Sequence, residues 1–274
     1  CLVRQLRFLS DTLDQTTDPK TRWIGSCVMV ARSVCLDGAH KLDEALGRLD
    51  GECTAQILPD GGHVSRSPSR LLSALLNLLA LRDVLQEAGH VVTEDGALNP
   101  FNDGDEGRPE AVNAALARLG TPPRHFTFAP KSGFQKLQKG RVRLVLDCGE
   151  APPPPFGDFA HAGALGFELS DGPARLVTSC GYSAEVNVDW QAAVRRTGAH
   201  STLVLAGRDS ASFVTNEESR LLAAMGPEGI SAKRLEESDE TWLDAQHGGY
   251  KAACGLLHRR RLFMSGDGSR LTGE

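Results

Sequence analysis

The strongest constraint on this chain is a change in the spacing of its apolar residues near position 125. Before it, apolar residues recur at three- and four-residue intervals: Leu2, Leu6, Leu9 and Leu13, then Trp23 to Val34, then Leu42, Leu46 and Leu49, then Leu71, Leu72, Leu75, Leu76 and Leu79. Such spacing places one apolar stripe on a helix and predicts antiparallel helices. A turn, Pro59-Asp60-Gly61-Gly62, separates the third helix from the fourth, and Ser67-Pro68 opens the fourth. A polar, Gly-rich stretch from Gly89 to Gly107 precedes a short expected helix, Pro109 to Leu119. Beyond 125 the runs are strand-sized: Phe126 to Phe128, Arg141 to Leu146, Ala164 to Leu169, Ala174 to Thr178, Thr202 to Leu205 and Arg260 to Met264. Helices first and strands second predict an α+β multidomain chain, helical over 1–124 and an antiparallel β-sandwich over 125–274.

Composition closes several alternatives. The richest apolar stretch, Leu71 to Leu85, is interrupted by Ser73, Asn77, Arg82 and Asp83, so no run of about 20 apolar residues exists to cross a membrane. Thirty Lys and Arg against 35 Asp and Glu give a net charge of -5, which supplies no basic field for a nucleic acid partner. Arg259-Arg260-Arg261 is a local exception. Seven scattered cysteines without a CxxC pair predict buried free thiols rather than a disulfide framework. The chain begins at Cys1 without a signal-like segment and stops in a strand-and-turn pattern, so both ends are expected to be internal cuts. There is no P-loop, GxGxxG, HExxH or GxSxG.

Four segments, in order, carry more information. They are Ile57-Leu58-Pro59-Asp60-Gly61-Gly62-His63-Val64-Ser65-Arg66-Ser67-Pro68, His161-Ala162-Gly163-Ala164-Leu165-Gly166-Phe167-Glu168, Thr197-Gly198-Ala199-His200-Ser201-Thr202-Leu203-Val204, and His247-Gly248-Gly249-Tyr250 running on to His258-Arg259-Arg260-Arg261. Together they resemble the heparinase II/III family of polysaccharide lyases, which joins an incomplete (α/α) toroid to an antiparallel β-sandwich. The resemblance implies β-elimination on a uronate-containing acidic polysaccharide. A base removes the proton beside the carboxyl group, a donor neutralises the carboxylate, and the glycosidic oxygen leaves with a proton. His63, Arg66, His161 and Tyr250 are the catalytic residues it implies, with His63 and Arg66 at a helix mouth suited to neutralise the carboxylate. His200, His247 and His258 are the implied substrate-binding residues. The family's usual periplasmic location is implied too, although free thiols and no visible signal suit the cytoplasm equally.

The sequence also departs from the family pattern. The toroid tyrosine is absent, since the only tyrosines are Tyr182 and Tyr250, both in the strand-rich half. Gly163 and Ser179 stand where some relatives carry Asp that helps to bind zinc. No cofactor is required by the implied reaction. A zinc ion on His161 and His200 is a further expectation, but two nitrogen ligands leave a tetrahedral site incomplete. Each candidate has a structural alternative: His63 capping its turn, Arg66 solvated at the start of a helix, Tyr250 packed in a core, His161 and His200 bonding loop backbone, and His258 on a solvated edge strand. Glu168 and Asp147 have no spacing that suggests a hydrolase dyad. The alternative function is a non-catalytic acidic-glycan-binding protein or an inactive family fragment with exposed apolar faces, and the oligomeric state stays open.

Overall fold

The structure, a computed structural model, describes residues 2–34, 41–86, 114, 117, 127–183, 187–215 and 222–274. The chain divides into two compact units: Cys1–Val64 with Ser69–Leu98 and Gly107–Arg124, and Ser65–Pro68 with Asn99–Glu106 and His125–Glu274. The expected helix at 109–119 and the Gly-rich stretch before it lie outside the described residues, apart from helical Ala114 and Ala117.

The first unit is helical. Helices α1 (Leu2–Thr12), α2 (Pro19–Arg32), α3 (Leu42–Gln56) and α4 (Pro68–Gln86) fall where the apolar spacing puts them. Helix α2 starts where it does because Asp18 accepts the Thr21 N–H at 2.8 Å and Pro19 takes the first helical position. Its Trp23, Cys27 and Val30 pack with Ala45 and Leu49 of α3 and Ala74 and Leu81 of α4. Gly25 belongs to this packing, because a Cβ there would collide with the Leu13 side chain. Buried Glu52 accepts from Arg22 and from Gln56, which keeps a carboxylate inside the bundle satisfied.

The second unit holds the strands, and its antiparallel sheets with the helices make the chain α+β. Strands β1 (Phe128–Ala129), β2 (Phe134–Lys139), β3 (Val142–Asp147), β4 (Phe167–Asp171) and β5 (Ala174–Val177) form one antiparallel sheet in sequential order. β6 (Ser212–Thr215) and β7 (Leu222–Met225) pair with each other. β8 (Ser231–Glu237), β9 (Glu240–His247), β10 (His258–Met264) and β11 (Leu271–Gly273) form a second sheet in the order β11-β10-β9-β8. Leu137, Leu144 and Leu146 of the first sheet meet Leu243, Ala245, Leu262 and Met264 of the second in one core, so the sheets stack as a sandwich. Strand β9 shows why: Thr241, Leu243, Ala245 and His247 are buried while Trp242 and Gln246 face out, the two-residue period of a half-buried strand.

Three expectations need correction. Thr202–Leu205 is not a strand, because its polar groups are used elsewhere. Thr202 Oγ1 donates to Ala164 O, Tyr250 takes the Leu203 carbonyl, and only an isolated bridge joins Leu205 to Arg208. The described cysteines are free, yet only Cys27 is fully buried and Cys180 is exposed. Arg66 is neither a solvated residue nor one available to a substrate carboxylate. At 7% exposure its guanidinium donates from Nε to Ser132 O at 2.8 Å and from Nη1 to Glu150 O at 3.0 Å, and it pairs with the Asp147 carboxylate. The group also lies 5.1 Å from the Phe134 ring centroid and directly over Gly149, where a Cβ would collide with it.

Removing one partner of such a buried, fully bonded pair strands the other charge, which costs roughly 3–5 kcal/mol. Arg66→Ala is therefore expected to lower the unfolding free energy by about that amount, and Gly149→Ala to destabilise in the same direction, both read by denaturant titration. An Arg66→Ala protein of unchanged stability would return Arg66 to the candidate site.

Candidate functional site

The most developed polar cluster lies in loops of the second unit. After β3 the chain makes a 3-10 turn, Phe156–Phe159, and reaches His161, whose flanking backbone is pinned on both sides. Arg195 donates from Nε and Nη2 to Ala160 O, each at 3.1 Å, and the Ala162 N–H donates to Arg195 O. Thr197, fully buried, donates from Oγ1 to Ala162 O at 2.8 Å, and the Thr197 N–H is held by Asp209. This lacing brings the turn Thr197–Ala199, and His200 after it, against the first loop. The His161 and His200 rings are 5.2 Å apart, and Tyr182 approaches His161 edge-on at 6.1 Å. Tyr182 donates to Gln191 Oε1 at 3.2 Å, from the short helix α5 (Val188–Ala193).

Burial sets the charge state. His161 is held well below its ordinary 6.5, first by desolvation and then by the nearby His200 and Arg195 charges. Desolvation takes His200 down to about 4 against the pull of Asp147 and Asp209. Both imidazoles are neutral at neutral pH, and His200 Nε2 is buried without a hydrogen-bond partner. The two histidines lie side by side, and both come from loops.

The zinc expectation does not fit these residues. Among the described residues no group of three or more His, Cys, Asp or Glu could hold a metal. Gly163 explains part of this. A Cβ at that position would lie 3.0 Å from the His200 ring, so the imidazole fills the space that a side chain at 163 would need.

Within the second unit, the other candidates do not join this cluster. His247 is fully buried, its Nδ1 accepts the Gly249 N–H at 3.1 Å, and its Nε2 lies 3.0 Å from His258 Nδ1. The tautomers follow: His247 carries its proton on Nε2 and donates it to His258, which is itself 6% exposed. These two buried histidines tie β9 to β10. Tyr250 is 1% exposed and donates to Leu203 O at 2.5 Å, a core tyrosine rather than an acid facing a glycan. His63, in the first unit, is 6% exposed and pairs through its backbone with Ile57, while the turn before it is closed by Asp60 and the Leu58–Gly62 hydrogen bond. Tyr182 belongs to none of the four sequence segments. Its only signal there is a place in the Cys180-Gly181 turn just after a strand.

Residues 121–274 match the family model described as Heparinase II/III-like, C-terminal. FtsZ-localized protein C of Caulobacter vibrioides (strain NA1000 / CB15N) is 31% identical over 273 residues, a match that takes in 92% of this chain and 46% of that protein. The fold is similar to that of heparan sulfate lyase HepC from Pedobacter heparinus, with a TM-score of 0.63, 15% identity and coverage of 96% of this chain and 46% of that one. It is also similar to a heparinase III, the BT4657 gene product, with a TM-score of 0.64, 16% identity and coverage of 97% and 47%. This chain thus spans about half the length of these relatives.

The buried histidines make stability depend on pH in a stated direction. His200, His247 and His258 all titrate near 4 in the fold, below the ordinary 6.5, chiefly through desolvation. The unfolded chain therefore binds more protons between about 4 and 6.5, so stability is full above that window and is lost as pH falls through it. Denaturant titrations across the window are expected to show this fall, with a shallower slope in His200→Asn. A flat profile would contradict the neutral, buried assignment.

Proposed function

Because the chain belongs to the heparinase II/III-like family, we propose that it is a lyase-type protein that cleaves a uronate-containing acidic glycan by β-elimination at the His161–His200–Tyr182 loops. The observation that carries this reading is the convergence of two neutral imidazoles and a phenol in one laced pair of loops. His161, unprotonated at neutral pH, takes the proton beside the uronate carboxyl. Electrons from that C–H bond form the new C4–C5 double bond, the C4–O bond breaks, and Tyr182 gives its proton to the departing oxygen. The phenol stands in for the tyrosine missing from the helical part and for Tyr250. His200 Nε2, buried with no partner inside the protein, offers its ring N–H or lone pair to the substrate. For His63, in the first unit, the neutralising role rests on the family resemblance alone. The helices of the first unit are taken as the end of an (α/α) toroid, 1–124 and 125–274 as the two domains, and the periplasm as the working compartment.

A second reading is non-catalytic. Arg66, Tyr250, His247 and His258 all serve the fold, which thins the implied set, and the Caulobacter relative is named for localisation with FtsZ rather than for a reaction. On this reading the fold is kept as a binding surface that localises with FtsZ.

One assay separates the two. The purified chain, incubated with heparan sulfate, heparin, hyaluronan and alginate, is expected to raise the ultraviolet absorbance of a 4,5-unsaturated uronate. His161→Ala and Tyr182→Phe should each lower the rate by about a hundredfold or more. A rate that neither substitution changes would remove these loops from the mechanism, and a folded chain that releases no product would favour the second reading.

A further inference from the structure

The outer face of the second sheet carries a row of side chains that neither the core nor the loop cluster uses. Leu235 of β8 is opposite Trp242 of β9, Trp242 is opposite Phe263 of β10, and Phe263 is opposite Thr272 of β11. Leu235 and Trp242 are 57% and 48% exposed, and the Trp242 and Phe263 rings lie 4.3 Å apart. An open groove lies beside Trp242 and Phe263, lined also by Arg261, Thr272 and Glu274. Across four strands the row runs about 14 Å. Its neighbouring row is charged and already paired, Arg261 with Glu274 and Arg259 with Asp244.

An exposed tryptophan over a flat sheet is costly unless something uses it. Three apolar side chains are far short of the roughly 800 Å² per partner that a stable protein interface needs, and a protein partner would also have to desolvate two ion pairs. A sugar ring asks for less. Its C–H face needs one aromatic plane, and its rim of hydroxyl and acidic groups needs donors and acceptors that stay wet. Aromatic rings beside an arginine, a carboxylate and a threonine hydroxyl provide both.

We infer that this face is a saccharide-stacking subsite for an oligosaccharide segment, in which Trp242 and Phe263 support the sugar rings while Arg261, Thr272 and Glu274 bond their polar rims. The subsite lies on the face opposite the core, away from Arg260, which points inward and donates to Leu165 O and Ser201 O beside the histidines. It rests on the acidic-glycan reading and adds to it a place where a long chain is held outside the reacting loops.

The test is retention of the full chain in native gels containing heparan sulfate, hyaluronan or alginate, at low and high salt, beside Trp242→Ala, Trp242→Phe and Phe8→Ala. Trp242→Ala is expected to weaken retention roughly five- to tenfold, with most of that loss persisting at high salt because stacking is little screened. Trp242→Phe should restore part of it, and Phe8→Ala, which removes an exposed ring from the first unit, should bind as the parent does. Thermal melting checks the fold, and if Trp242→Ala melts early, Trp242→Met, which keeps bulk without a ring, replaces it. Equal retention of parent and ring-less variant would overturn the subsite alone, whereas no retention of the parent by any glycan would overturn the glycan reading with it. A parent dimer that Trp242→Ala converts to monomer would assign the face to a second copy and also overturn the proposal.

Discussion

The Arg66–Asp147 pair is the interaction on which the second unit's loops depend. Asp147 ends β3, and its main chain fixes the next turn: its N–H donates to Gly166 O, and its carbonyl accepts from Leu165. Its carboxylate receives Arg66 and the Gly149 N–H together. Leu165 and Gly166 are the residues through which the chain turns back into β4, and Leu165 does so at a positive φ of 56°. His161 and Gly163 hang on that turn. The charge pair thus sits at the same end of β3 to which the histidine-bearing loop is tied through the main chain. The pair is itself costly to desolvate, and three further donors and acceptors offset that cost: Ser132 O, Glu150 O and the Gly149 amide.

The histidines follow a common logic with two outcomes. Where the two ring nitrogens of His247 are answered by the Gly249 amide and by His258, the result is a neutral pair with one proton order, whose role is to bind β9 to β10. His200 is just as desolvated, but its Nε2 meets nothing in the protein. Buried polar atoms left in that condition cost stability, and they concentrate where a ligand is to be received. That difference in satisfaction, more than residue type, separates the histidines that hold the fold from those that can act.

The helices were legible because their pattern is local: a stripe at helical spacing, with Asp18-Pro19 at the start of α2, needs no distant partner. Strands β3, β5 and β10 were legible for the same reason. Strand β8 was not, because as an edge strand it reads Ser-Ala-Lys-Arg-Leu-Glu-Glu, with little on either face to mark a period. Thr202 to Leu205 reads as a strand because Thr202 and Val204 are β-branched, but the Thr202 hydroxyl is committed to the Ala164 carbonyl and the Leu203 carbonyl to the Tyr250 hydroxyl. Arg66 misled more deeply. In sequence it is a basic residue in a loop before a helix, and its partner Asp147 lies 81 positions on. The pairing of His161 with His200 came from family resemblance, and Tyr182 from neither source, since a ring brought in by a turn has no spacing signal.

Gly163 shows how a substitution at one position can redirect a site. With a side chain there, His200 could not keep its present ring position, since the clash falls on the ring atoms themselves rather than on the tip of a flexible chain. With glycine there, the imidazole moves into the vacated volume and approaches His161 closely enough to lower that ring's readiness to take a second proton. The loops then present two neutral rings side by side, and among the described residues no third ligand joins them to hold a metal.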